Sequence, residues 1–147
     1  MDPIYPLEKF ATYFTPYSAH AIEIAGVVYP TVEHAFQCKR YTDKEVIEEI
    51  RTARSPLEAW KISSEYKHLT VPEFKDNKLQ IMKELTMAKV MQHTDVLQAL
   101  VESGAVQIVK HITTGPPADG FWDDGEDGTG LNHIGRIWME IREEVIR

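Results

Sequence analysis

The sequence predicts an α+β fold that is mainly α: a single compact domain over residues 1–147, with about six helices and a small β-hairpin. Three observations lead there. Apolar residues recur at helical spacing through most of the chain, several stretches open with a clear N-cap pattern, and alternation around a glycine turn occurs only near the N-terminus.

A short N-terminal arm precedes the hairpin, whose strands are Ala21-Ile22-Glu23-Ile24 and Val27-Val28-Tyr29 around Ala25-Gly26, with Pro30 ending the second strand. Thr31 is placed to cap a helix carrying Glu33, His34, Phe36, Gln37 and Arg40. A second helix starts near Asp43, with Val46, Ile47 and Ile50 on one face. Ser55-Pro56-Leu57-Glu58 is the clearest start, because it has a capping serine, proline at the first helical position and glutamate three residues after the cap. Pro72 opens the longest helix, with Phe74, Ile81, Met82, Leu85, Ala88 and Met91 as its apolar face. Thr94 to Ser103 forms another helix, closed by Gly104. Val106 to Ile112 has strand composition, and an irregular stretch from about Thr113 to Leu131 leads to Asn132. Asn132 can cap a last helix with Ile134, Ile137, Trp138, Ile141 and Val145 as a stripe.

With 147 residues, 43% of them hydrophobic, the chain can bury a core without disulfides or metal. The lone Cys38 excludes a disulfide framework and a multi-cysteine zinc site, and is expected to be a small buried hydrophobe. His93, His111 and His133 fall in different elements without ligand spacing, so no metal is expected. No apolar run is long enough to span a bilayer, and Met1-Asp2-Pro3 does not begin a signal peptide, which leads to the expectation of a soluble, cytoplasmic protein with no membrane partner. A net charge of −7 argues against non-specific nucleic-acid binding, which needs clustered Lys and Arg. It does not exclude a nucleotide substrate, for which only the charge around the pocket matters.

Two stretches carry chemistry. In Thr31-Val32-Glu33-His34-Ala35-Phe36-Gln37, helical spacing sets Glu33, Gln37 and Arg40 on neighbouring parts of one face, where a carboxylate, an amide and a guanidinium can converge. Periodicity alone favours a plainer account, in which Glu33 is a first-turn acid and Gln37 and Arg40 are solvated. The second stretch, Asp119 to Asn132, interleaves Gly120, Gly125, Gly128 and Gly130 with acids and Trp122, then enters a helix N-terminus. Free N–H groups there favour a phosphate. An acidic surface turn is the alternative, and the spacing fits neither a P-loop nor an EF-hand.

Taken together, these stretches resemble the YbiA-like (NADAR) family. The early motif is Thr31-Val32-Glu33-His34-Ala35-Phe36-Gln37, and the late one runs from Asp119-Gly120-Phe121-Trp122 to Asn132-His133-Ile134-Gly135. Ala53 to Ala59, Lys78 to Met82 and Ala88 to Gln92 look like the family's middle segments, so the resemblance covers nearly everything from Phe14 onward.

The resemblance implies N-glycosidase activity without a cofactor. The substrate is either ADP-ribose on guanine, in nucleic acid or nucleotide, or a phosphorylated ribosylamino-pyrimidine of riboflavin synthesis. It makes Glu33 the catalytic carboxylate and Asp119 a ribose contact or second acid-base group. Trp122 would stack on the leaving base, Asn132 and adjacent backbone would hold phosphate or ribose oxygens, and Arg136 would add a cation one turn later. Gln37, Arg40, Phe74 and Gly135 complete the substrate-binding set. His34 is expected to be structural, and Trp60 and Trp138 to be core.

Three departures stand out. Phe74 replaces a frequent Trp, Arg40 replaces a lysine found in some members, and Asp123 follows Trp122 where glycine is usual. Arginine cannot serve as a Schiff-base nucleophile, so such a route would need Lys39 or Lys89. Phe74 and Asp123 move the expectation toward the ADP-ribosyl substrate. A non-catalytic ADP-ribose or nucleotide reader, which would not need Glu33, and an interaction module in a toxin–antitoxin context are the alternatives.

Overall fold

The computed structural model describes residues 4–111 and 117–147. Its contacts divide the chain into two compact units, Pro16–Gln92, and the chain up to Thr15 together with His93–Arg147. The ends of two expected segments, Ile112 and Thr113, and the Met1-Asp2-Pro3 terminus lie outside the described residues.

In Pro16–Gln92 the hairpin forms as the sequence predicts. Strands β1 (Ile22–Ile24) and β2 (Val27–Tyr29) pair antiparallel with Ile22 opposite Tyr29. Ala25 and Gly26 both have positive φ, 51° and 83°, the twist that a two-residue hairpin turn requires. Helices α2 (Val32–Cys38), α3 (Lys44–Arg51) and α4 (Pro56–Glu65) follow, each with a side-chain cap. Thr31 accepts from His34 N, Asp43 from Glu45 N and Val46 N, and Ser55 from Glu58 N. Cys38, Tyr41, Val46, Ile50 and Ala59 form the core between these helices. Trp60, expected in the core, is only half-buried. The Cys38 thiol is pushed up to about 12, chiefly by burial, so it remains a protonated small hydrophobe.

Helix α5 (Pro72–Gln92) is the longest, and its buried face is only partly the one expected. Phe74, Met82, Leu85, Thr86, Lys89 and Val90 are buried, whereas Met91 is 69% exposed. At about 100° per residue, the nine residues from Met82 to Met91 turn the side chain to the opposite face. Lys89 occupies the buried face instead.

In the other unit, the expected N-terminal arm is helical: α1 (Leu7–Lys9) runs into a π-helical turn at Phe10–Phe14. An aromatic cluster orders this segment. Phe14 sits 4.8 Å from Tyr5 and 4.4 Å from Trp138, whose Nε1–H donates to Phe14 O at 2.8 Å. Trp138 is core, as predicted. Helices α6 (Thr94–Glu102) and α7 (His133–Ile146) pack together, and α7 buries Ile134, Ile137, Trp138 and Ile141.

The strand expected from Val106 is absent over the described residues. Only a single parallel bridge joins Ile4 to Gln107. The backbone there is met by side chains and loop backbone rather than by a neighbouring strand: Arg142 donates to Val106 O, Asn132 donates to Ile108 O and accepts from Lys110 N, and Asp124 N donates to Lys110 O. Strand composition without a partner edge does not make a strand. Among the described residues no helix is long and apolar enough to cross a membrane.

Candidate active site

Within Pro16–Gln92 the structure brings together Glu33, Gln37, Arg40 and Phe74. Thr31 fixes the first turn of α2, and Glu33 N donates to Pro16 O, so the Glu33 backbone is held in place. Glu33 is a first-turn acid but only 6% exposed, and Gln37, at 3%, is not solvated as the plainer account had it, while Arg40 is half-buried. Gln37 Nε2 donates to Glu33 Oε1 at 2.9 Å, and Arg40 Nη1 donates to Gln37 Oε1 at 3.2 Å. This network fixes the amide orientation, since only one arrangement offers NH₂ to the carboxylate and oxygen to the guanidinium. Arg40 follows the C-terminus of α2 rather than lying within it, and its guanidinium carbon is 5.0 Å from the centre of the Phe74 ring. Phe36 packs on the same ring at 5.0 Å. Phe74 therefore forms a buried aromatic wall at 3% exposure.

His34 is structural, as expected. Its ring lies between Thr31 Oγ1 (2.8 Å) and Ala53 O (3.0 Å). A carbonyl partner requires Nε2–H, which leaves Nδ1 to accept from the threonine hydroxyl. Burial lowers the imidazole pKa, only partly opposed by the Ala53 bond, and favours this neutral form.

In this unit sequence reasoning missed Tyr17, Ser18 and His20, and gave no sign of where Lys89 lies. The Tyr17 phenol is held far above the usual tyrosine range by burial and then by the charge of Glu33. Lys89, 1% exposed, donates to Ser18 Oγ at 2.5 Å, and Ser18 Oγ lies 2.7 Å from His20 Nδ1. Ser18 and Lys89 are 71 residues apart, so local patterning gave no signal. Of the two amines considered for a Schiff base, Lys39 is exposed and Lys89 is buried.

The glycine-rich loop belongs to the other unit and folds around two aspartates. Asp119 Oδ1 accepts from Phe121 N and Trp122 N at 2.9 and 3.1 Å, and the residue is exposed. Asp123, at 3% exposure, accepts from Asp119 N, Gly120 N and Gly125 N over 2.8–3.2 Å. Its carboxylate organises the loop, so it does not add charge to a pocket, which removes one reason for preferring the ADP-ribosyl substrate. Trp122 is half-buried, its ring edge-on to Phe121 at 4.9 Å.

Two further expectations for this loop change. Asn132 stands at the N-cap position of α7 with φ 52°, but its side chain makes no cap bond. Both ends of its amide brace Ile108 and Lys110. Nor are the first N–H groups free for a phosphate. Asn132 N, His133 N and Ile134 N donate to the carbonyls of Asp123, Phe121 and Trp122 at 2.9, 3.0 and 3.1 Å. The loop itself caps the helix. Gly135 is buried, where a Cβ would meet Ile108 O at 2.0 Å, so close approach accounts for the glycine. Arg136 points from α7 into solvent.

Asp123 yields a pH prediction. Burial raises its carboxyl pKa, but the three N–H bonds and the Lys110 charge outweigh this, and the group ends below the ordinary aspartate value. A depressed pKa stabilises the fold above the unfolded value and loses that contribution as pH falls through the folded value. Asp123→Asn is therefore expected to lower the melting temperature at pH 7, and the gap from wild type should narrow below about pH 4. Calorimetric melts at several pH values test this; a gap that does not change with pH would contradict it.

The late Asp-x-x-Trp to Asn-x-x-Gly segment and the early Thr-x-Glu-His-x-Phe-Gln helix now have defined geometry, and comparison with known proteins accounts for their co-occurrence. A NADAR domain model matches residues 2–146. The chain belongs to the NADAR domain family. Among its relatives, a protein of Escherichia coli named N-glycosidase YbiA is 30% identical over 132 residues, covering 90% of this chain and 80% of the relative. A Nostoc punctiforme protein named N-glycosidase is 31% identical, covering 90% of this chain and 84% of its own length. A Vibrio vulnificus protein named riboflavin biosynthesis protein is 30% identical over 98% of this chain, which spans 39% of that longer protein. This NADAR chain also matches the NMR structure of E. coli YbiA with a TM-score of 0.80, covering 90% of this chain and 77% of that one.

Proposed function

We propose that this NADAR chain is an N-glycosidase that hydrolyses the bond between a ribose carbon and a base nitrogen. The observation that carries the reading is the Glu33 carboxylate: 6% exposed and held by Gln37, which in turn accepts from the Arg40 guanidinium stacked on Phe74. Burial of a carboxylate is costly and needs compensation. Cleavage of an N-glycoside supplies a use for it. As the C–N bond breaks, its electron pair goes to the base, which takes up a proton, while positive charge develops on the ribose. A fixed carboxylate stabilises that charge or orients the water that adds to the ribose carbon and then loses a proton. The names of the E. coli and Nostoc relatives support the reaction class. The roles of Asp119 and Trp122, contact with ribose hydroxyls and stacking on the leaving base, rest on the family motif.

For the leaving group, the proposed substrate is ADP-ribose on guanine, supported now only by Phe74 in place of the family's frequent Trp. The name of the Vibrio relative favours the ribosylamino-pyrimidine phosphate instead. Mass spectrometry of released sugar, after incubation with each substrate in parallel, decides. Release from the guanine-ADP-ribosylated oligonucleotide is expected. Release from the pyrimidine alone reassigns the substrate. Release from neither, with ADP-ribose still bound, replaces the enzyme by a reader.

A further inference from the structure

The sequence placed anion recognition at the start of α7, yet those N–H groups are spent on loop carbonyls, and Arg136 is exposed. A phosphorylated ligand would then be met by a cationic donor elsewhere. Arg40 has the required features. It makes no ion pair with Asp or Glu among the described residues. Its Nε is buried with no hydrogen-bond partner. Leaving such a donor unmet costs free energy, and a guanidinium has five N–H donors, of which Gln37 receives one.

The group is also held in place. The Phe74 ring supports one face at 5.0 Å and Gln37 Oε1 grips one edge, so less side-chain entropy remains to be lost on binding. Gln37 has a second effect. By standing between Glu33 and Arg40 and bonding to both, it keeps the carboxylate and guanidinium from pairing directly. Arg40 then keeps its remaining donors for a negative group.

We propose that Arg40 recognises a phosphoryl oxygen of the ribosyl ligand, using the guanidinium donors that Gln37 and Phe74 leave uncommitted. This rests on the reading of the Glu33 group as the ligand site, and it names phosphorylated ribosyl compounds as the class preferred over their phosphate-free forms. A lysine here would supply a point charge; arginine supplies a fork that grips two phosphoryl oxygens.

Isothermal titration calorimetry with ribose 5-phosphate, ADP-ribose and unphosphorylated ribose tests the proposal on wild type, Arg40→Met and Arg40→Lys, with circular dichroism as the folding check. Wild type should prefer the phosphorylated ligands about tenfold or more. Arg40→Met should erase that preference and Arg40→Lys should retain part of it. If Arg40→Met does not fold, Arg40→Lys carries the test, with loss of most of the preference expected. A phosphate preference that survives in Arg40→Met, or in full in a folded Arg40→Lys, would overturn the proposal. So would a wild type that shows no preference or binds none of the three.

The titration requires no turnover, so the two readings fail separately. A preference that follows Arg40 in a protein without glycosidase activity upholds the recognition site and sinks the enzyme. Glu33-dependent turnover with an unchanged phosphate preference in Arg40→Met does the reverse.

Discussion

Glu33→Gln is expected to lower kcat by about 10²–10⁴-fold while the protein stays folded. The glutamine is nearly isosteric, and its amide oxygen can still accept from Gln37 Nε2, the contact made now at 2.9 Å. What disappears is the negative charge. At 6% exposure that charge carries a desolvation cost, so the melting temperature should hold or rise when it is removed. Single-turnover assays of sugar release, paired with thermal melts, separate the outcomes. Activity within a few-fold of wild type would remove Glu33 from the chemistry. Collapse of the fold would make it a structural acid, and the reader hypothesis would then stand ahead of the enzyme.

Gly135→Ala should produce the largest loss of stability, about 3 kcal/mol or more. Helix propensity points the other way, since alanine in a helix is favoured over glycine by about 1 kcal/mol. Steric contact decides the sign. The new Cβ would lie 2.0 Å from Ile108 O and 2.4 Å from Asn132 Nδ2, which are themselves hydrogen-bonded at 3.0 Å. Backbone at a fully buried residue cannot move aside cheaply, and displacing the Asn132 amide also frees Lys110 N. A fall in melting temperature of roughly 10 °C is expected for a chain of this size. Gly128→Ala is the control: open space surrounds it, so only its φ of 82° resists substitution, and about 1 kcal/mol should be lost. Urea denaturation of both variants measures the difference; equal stabilities would disprove the close approach of α7 to Ile108.

These two residues differ in how far the sequence revealed them. Glu33 was legible as a motif position on a capped helix, since Thr31 caps it locally, and i, i+4 spacing allowed a Gln37 contact, but only the structure showed that the pair is buried and bonded. Gly135 was legible as a motif position but not as a packing constraint, because its neighbour Ile108 comes from a distant part of the chain. Asn132 is similar. Its cap position could be read from the sequence, whereas its side chain turns to Ile108, 24 residues away.

The sequence by itself determined the hairpin, the capped starts of α2, α3 and α4, and the stripe of α7. All of these depend on residues within a few positions of one another, where backbone geometry and capping chemistry set the outcome. Only the tertiary structure decided which face of α5 is buried, that Val106–His111 is braced by side chains instead of pairing as a strand, and that the arm before Thr15 is helical. It also decided that Asp123 and the N–H groups of α7 serve the loop rather than a ligand. The physical reason is common to these cases. Apart from the loop around Asp123, whose bonds are local, each depends on a partner far along the chain, such as Phe14 O for Trp138 across 124 positions, and burial against that partner outweighs local preference.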